Sequence, residues 1–206
     1  MTGIETGPGV VGPHDKSKIA PGVGAGARAW WLAYCRPDGG DPGTRARLRR
    51  ARSIVDAAVI PAAIVLARRL GALKGETRSG GARFERALNL ARVLAHVTSD
   101  DTQRPMRAAG WKSLPKDSPS GVVGDAERPR LSEQRFRRLL STESGEDQVQ
   151  AFVRLIGLLD DKVNIASVSE DFWFWSDRTK RAWAFDYYAA GIAAPAEGPS
   201  TAEESA

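Results

Sequence analysis

The chain has 206 residues, of which 42% are hydrophobic, and its formal net charge is +5. This length is enough for one domain or two small ones. Cys35 is the single cysteine, which excludes a disulfide framework and suits a reducing compartment. There is no apolar run of about 18 residues that could span a membrane, and no opening stretch resembles a signal peptide. We therefore expect a soluble, cytoplasmic protein.

The positive charge is concentrated in the middle of the chain. Residues 27–188 carry 28 basic against 20 acidic side chains, and most of the bases are arginine. The planar guanidinium group binds phosphate through paired donors, so a polyanionic partner is the natural hypothesis. A GC-rich genome also favours arginine codons, which explains much of the preference for arginine over lysine but not the excess of positive charge.

Both ends of the chain lack core-forming residues. Residues 1–26 are rich in glycine and proline and predict a disordered arm. The stretch GVGAGA at 22–27 superficially resembles a phosphate-binding loop, but its spacing is wrong and no strand precedes it. Residues 190–206 predict a disordered acidic tail.

A long connection divides the middle of the chain. Residues 112–130 are rich in proline, serine and glycine and predict a loop. We place an N-terminal helical lobe at 27–111 and a C-terminal helical lobe at 131–189.

The most basic stretch is TRARLRRARSIVDAAV at 44–59, which we interpret as one helix that follows a short helix at 27–36. Thr44 can cap it, and its apolar stripe is formed by Leu48, Ala51, Val55 and Val59. Five arginines occur within eight residues: Arg45, Arg47, Arg49, Arg50 and Arg52. Their mutual repulsion destabilises the helix unless an anion compensates, although a solvated basic face is the alternative.

The remaining N-terminal elements follow in order. Pro61 suits the first turn of a helix that runs to about residue 72. The amphipathic stretch 82–97 predicts a central core helix, and 103–110 predicts a short helical turn. His96 has no ligand-type residue at metal spacing, so we assign it a structural role.

The stretch PRLSEQRFRRLLS predicts a helix at 132–141. Ser132 is a good N-cap, and Leu131 with Phe136 has hydrophobic-staple spacing. Its apolar side is formed by Phe136, Leu139 and Leu140. Arg135 and Arg138 lie along one edge of that side.

Aromatic residues dominate the C-terminal part. A helix at 146–161 precedes a run of four consecutive aromatic residues at 172–175, which we assign to the core. A final helix at 177–190 carries basic residues in its first turns (Arg178, Lys180 and Arg181) and packs through aromatic residues (Trp183, Phe185, Tyr187 and Tyr188). No period-2 strand pattern is present, so the predicted fold is all-α, with two small helical bundles joined by a long loop.

Catalytic patterns are weak. Cys35 has no evident base, and acidic neighbours such as Asp100 and Asp101 sit at helix ends, where carboxylates normally face water. A metal-dependent nuclease needs converging carboxylates, which these spacings do not specify. We predict no enzyme activity, no metal and no cofactor, with a nuclease as an alternative that a cleavage assay would test.

The order of these segments resembles the CasB family, the small subunit of the type I-E CRISPR Cascade complex. The resemblance covers about 27–188 and is carried by WWxxY, RARLRRA, the helix opening with Pro61, ERALNLARVLAHV, LSEQRFRRLLS and RTKRAWAFDYY. The terminal arm, the long connection and the acidic tail depart from the family pattern.

The resemblance implies a non-catalytic, all-helical subunit. Two copies of it would lie along the complex against the backbone subunits that hold the guide RNA. Its expected partners are crRNA, target DNA, the backbone and large subunits and a second copy of itself, with no membrane. It would bind nucleic acid without sequence preference and stabilise the opened DNA. By position, the basic pairs of the family match Arg49 with Arg50, Arg135 with Arg138, and Lys180 with Arg181. We add Arg45 and Arg52, which flank the first pair.

A helical DNA-binding transcription regulator is the competing function. It needs a compact helix-turn-helix whose recognition helix carries base-reading polar residues. The 132–141 helix exposes arginine but few amide side chains beyond Gln134, and a long loop precedes it.

Overall fold

The computed structural model of the protein describes residues 22–73, 78–111 and 128–189. The helices are α1 (Val23–Tyr34), α2 (Pro42–Arg50), α3 (Ile54–Ala58), α4 (Pro61–Arg69), α5 (Arg78–Leu94), α6 (Pro105–Ala109), α7 (Glu133–Leu140), α8 (Glu146–Leu158), α9 (Ile165–Trp173) and α10 (Asp177–Ala189). The prediction of an all-α fold is confirmed. Two parallel strands of two residues each, β1 (Ser99–Asp100) and β2 (Lys162–Val163), join the segments after α5 and α8. They are too short to leave an alternating pattern in the sequence.

The first helix begins earlier than the sequence predicts, so the expected disordered arm is wrong for residues 22–26. Gly24 and Gly26 are buried in α1, which packs chiefly against α9. A Cβ at Gly24 would lie 2.8 Å from the backbone oxygen of Ala166. The glycines are therefore there because the helices approach closely, and not because the segment is a flexible linker. Residues 1–21 of the predicted arm and the predicted tail at 190–206 lie outside the described residues.

The predicted basic helix at 44–59 is two helices, α2 and α3. The hydroxyl of Ser53 accepts a hydrogen bond from the backbone N–H of Asp56, whose carboxylate accepts one from the N–H of Ser53. This capping box starts a new helix and ends the old one at Arg50. The N-cap of α2 is Asp41 and not Thr44.

The break between α2 and α3 also corrects the predicted apolar stripe. Leu48 is fully buried, but Val55 and Val59 are 72% and 74% exposed. The break between α2 and α3 interrupts the helical repeat. A period of 3.6 residues continued from α2 therefore assigns the wrong residues of α3 to the buried side.

The centre of the molecule is α5, as the amphipathic pattern predicts. It packs against α2, α3, α4, α8 and α9, and Leu88, Leu90 and Leu94 are fully buried. One hydrophobic cluster extends through helices on both sides of the predicted connection. The division into lobes at 27–111 and 131–189 stays a prediction. The contacts of α1 with α9 and of α5 with α8 would lie between these two lobes. Most of the connection, at 112–127, lies outside the described residues.

The C-terminal helices are joined by stacked aromatic rings. Phe136 of α7 stacks on Tyr187 of α10, with ring centroids 4.1 Å apart. The staple residue Leu131 is buried, whereas Ser132 is the N-cap without a side-chain hydrogen bond. The Tyr187 hydroxyl donates instead to the carbonyl of Leu131 at 2.7 Å. Thus α7 is held at its start by α10 and not by its own cap.

Two aromatic residues assigned to the core face solvent. Phe174 is 59% and Phe185 is 67% exposed. Consecutive helical residues are separated by about 100°, so four aromatics in sequence cannot all face one core. Phe185 lies two residues from both Trp183 and Tyr187, which are buried, and therefore lies on the opposite side of α10.

Candidate nucleic-acid interface

The C-terminal end of α2 presents a group of exposed arginines. Arg49 and Arg50 occupy the last turn of the helix, and Arg52 follows it. A helix C-terminus carries a partial negative charge, so it stabilises cations placed there. None of these three guanidinium groups pairs with a carboxylate among the described residues. This leaves them available to an anion from outside the chain.

Arg45 differs from its neighbours because part of its guanidinium group is used within the fold. Its Nε donates to the carbonyl of Ala95, beyond the end of α5, at 3.0 Å. The side chain is half-buried. Arg45 therefore ties α2 to α5 as well as adding positive charge beside Arg49.

Arg92 holds this arrangement in place, although sequence reasoning did not single it out. It is buried in α5, its Nε donates to the carbonyl of Ala51 at 3.0 Å, and Nη1 donates to Asn89 at 3.0 Å. Nη1 and Nη2 bind the carboxylate of Glu146, at the start of α8, at 2.7 and 3.0 Å. The bonds lower the pKa of Glu146. The signal available in the sequence was a pair of polar residues, Asn89 and Arg92, three positions apart in the central core helix.

The arginines border a cleft of about 640 Å³ between α2, α5 and α8. Arg49, Arg50 and Arg52 line one side. Val153 is half-buried and provides apolar surface, and Gln150 and His96 provide polar groups. Leu48 and Val149 also border the cleft but are almost fully buried. The cleft therefore combines positive charge with an apolar wall, which a plain solvated basic face does not require.

His96 carries little positive charge at neutral pH. Burial is the main cause that lowers its pKa from 6.5, and the guanidinium groups of Arg49, Arg45 and Arg92 lower it further, while Asp161 opposes them. His96 therefore lies beside the basic end of α2, and its structural role stays a prediction.

The other predicted basic residues lie on α7 and α10. Arg135 and Arg138 are exposed on α7, and Arg181 is exposed on α10. Lys180 is half-buried, with its ammonium group 5.6 Å from the ring centroid of Trp175. Because α7 stacks on α10, these residues belong to neighbouring helices, but none of them lines the cleft at α2.

Potential catalytic groups give no assembled site in the described part of the chain. Cys35 is fully buried, which raises its pKa to about 12, so the thiol stays protonated. Across the described ranges, no three His, Cys, Asp or Glu residues are grouped so that they could hold a metal ion. No described helix is both long and apolar enough to cross a membrane.

The comparisons with known proteins identify the family. The family model of the CRISPR-associated protein Cse2 matches residues 44–188, so the chain belongs to the Cse2 family of CRISPR-associated proteins. This confirms the resemblance to CasB. The fold is similar to a chain in a crystal structure of E. coli Cascade bound to a PAM-containing dsDNA target, with a TM-score of 0.52 and 20% identity over 81% of this chain and 94% of that chain. No curated protein sequence matches the chain.

Proposed function

We propose that the protein is a non-catalytic subunit of a CRISPR RNA-guided surveillance complex, where it binds nucleic-acid backbone without sequence preference and stabilises the opened target DNA. The observation that carries this proposal is the exposed group of Arg49, Arg50 and Arg52, which has no carboxylate partner within the described residues. Membership of the Cse2 family and the fold shared with a chain of DNA-bound Cascade support it.

The physical role follows from how such complexes divide recognition. Guide RNA reads the target by base pairing, so an accessory subunit needs only to hold the backbone of the separated strands. Guanidinium groups fixed on a rigid helix do this through phosphate contacts and the release of counterions. Each contact made to a separated strand stabilises the open state of the DNA.

The remaining basic residues would extend the surface. Arg135 and Arg138 on α7, together with Lys180 and Arg181 on α10, provide a second set of cations on stacked helices. In the assembled complex the partners would be crRNA, target DNA, the backbone and large subunits and a second copy of this chain.

Salt-dependent DNA binding tests the proposal. The variants are Arg49→Ala/Arg50→Ala and Arg135→Ala/Arg138→Ala, measured on two unrelated duplex sequences across a salt series. Losing two phosphate contacts should reduce the slope of log K against log [salt] by about 1.8. The loss should be the same for both sequences, because phosphates carry no base information.

A matched control exists on α4. Arg68 and Arg69 are also adjacent, exposed and in the last turn of a helix, but they do not line the cleft. Arg68→Ala/Arg69→Ala makes the same change in net charge. If it reduces the salt slope equally, the effect comes from overall charge and the proposed site is rejected. Sequence-dependent losses would favour the transcription regulator, and metal-dependent cleavage of DNA would favour a nuclease.

A further inference from the structure

The cleft beside α2 is bordered by apolar side chains as well as by arginines. Its basic side is formed by Arg49, Arg50 and Arg52, and the wall supplied by α8 contains the half-buried Val153. Arg92 also borders the cleft, yet it is buried and already bonded to Glu146, Asn89 and Ala51. The cations available to a ligand therefore come from α2 and the residue after its end, whereas the accessible apolar surface comes from Val153 of α8.

A nucleotide complements the cleft because it also has one charged part and one apolar part. Its phosphate is anionic, and the two faces of its base are apolar. The volume of about 640 Å³ lies within the usual range for small-molecule sites of roughly 300–1,000 Å³. We propose that the cleft takes one unstacked nucleotide of a single strand, with the base against Val153 and the phosphates on Arg49 and Arg50. This inference rests on the proposed function, because it specifies what the same basic site binds.

The polar groups in the cleft suit a base edge. Gln150 is exposed at the wall, and its Nε2 donates one hydrogen bond to Glu146 at 2.9 Å. Its second N–H and its carbonyl oxygen remain as a donor and an acceptor for a base. His96, held mainly neutral by burial and by the adjacent guanidinium groups, can also accept or donate a hydrogen bond. The polar partners offered to the base edge are therefore uncharged.

A paired duplex cannot use this cleft in the same way. Bases in a duplex are stacked, and extruding one costs a few kcal/mol. A separated strand has already lost this stacking, so the cleft should favour opened over paired DNA. The basic side alone would bind both forms by their phosphates.

The test compares two single strands with the same number of phosphates. One is a thymidine homopolymer, and the other is an abasic strand that lacks every base. Binding of the full-length protein is measured at one fixed salt concentration. The thymidine strand should bind about tenfold more tightly, which corresponds to roughly 55 Å² of apolar surface removed from water. Equal affinities would overturn the inference while leaving phosphate binding intact, whereas binding of neither strand would reject the proposed function itself.

A variant that fills the cleft tests whether the difference in affinity between the two strands arises there. Val153→Trp adds bulk to the wall without changing charge, and it should bring the thymidine strand down to the affinity of the abasic strand. Val55→Trp is the matched control, because Val55 is 72% exposed on α3 and does not line the cleft. It should keep the tenfold preference.

A second variant covers the case in which Val153→Trp fails to fold, as judged by circular dichroism. Gln150→Ala shortens an exposed side chain of the wall and should reduce the thymidine preference several-fold. A preference that persists in a folded Val153→Trp protein, or is unchanged in Gln150→Ala, would overturn the inference.

Discussion

Replacing Arg92 with alanine tests whether one buried arginine positions the basic surface. Only 4% of its side chain is exposed, and it bonds to the carboxylate of Glu146, the carbonyl of Ala51 and the side chain of Asn89. Hydrogen bonds to charged groups contribute roughly 1.5–3 kcal/mol each, and breaking a buried ion pair costs about 3–5 kcal/mol. Glu146 is 48% exposed, so water can solvate its carboxylate after the change. The cost of breaking the ion pair should therefore lie at the lower end of its range, about 3 kcal/mol.

We therefore expect Arg92→Ala to lower the free energy of unfolding by about 3 kcal/mol. In a chain of this size, that corresponds to a fall in Tm of about 6–12 °C. Glu146→Gln should cost less, about 1 kcal/mol, because an amide oxygen can still accept one bond from the guanidinium. Arg154→Ala is the control: it removes an exposed arginine of α8 and should change stability by about 0.5 kcal/mol or less.

The same variant has a second readout in DNA binding. Arg92 fixes the carbonyl of Ala51 directly after Arg49 and Arg50, so its loss should loosen the end of α2 and weaken binding although both arginines remain. Unfolding by urea and binding at fixed salt give the two measurements. If Arg92→Ala is no less stable than Arg154→Ala, or binds DNA as the native chain does, Arg92 does not act as described.

Other expectations concern packing and protonation. Gly24→Ala should destabilise the protein by about 1–3 kcal/mol, because its Cβ would meet backbone of α9, whereas Gly157→Ala on α8 has open space and should be neutral or stabilising in thermal melts. Deleting residues 1–21 should leave Tm nearly unchanged, and deleting 1–26 should lower it because the start of α1 is lost; equal effects would contradict the packing of Gly24. By NMR titration His96 should show a pKa below 6.5 that rises when DNA is bound, since phosphates offset the neighbouring guanidinium groups; no rise would argue against phosphates there.

Sequence patterns alone predict the helical class and much of the buried side of individual helices. Phe136 and Leu139 are buried as the 3.6-residue period predicts, and Pro61 opens α4. These features depend on residues that are close together in the sequence, so the spacing of apolar residues predicts them directly. The order of basic and aromatic segments was also enough to indicate the family, which the family model confirms.

The boundary between α2 and α3 is predictable from the sequence, but the apolar period across 44–59 favours a single helix. Ser53 and Asp56 form a capping box that divides the basic stretch, and this signal is local. The apolar period continued through it by coincidence, so Val55 and Val59 were assigned to the core although both are exposed.

The candidate site is assembled by contacts between segments that are far apart in the sequence. Arg92 and Glu146 are 54 positions apart, and nothing local in either segment specifies that pairing. The cleft likewise needs α2, α5 and α8 to meet, so Val153 and Gln150 join Arg49 through contacts distant in sequence. A periodic pattern fixes which side of a helix is buried, but it carries no information about which other helix covers that side, because many partners bury equal apolar area.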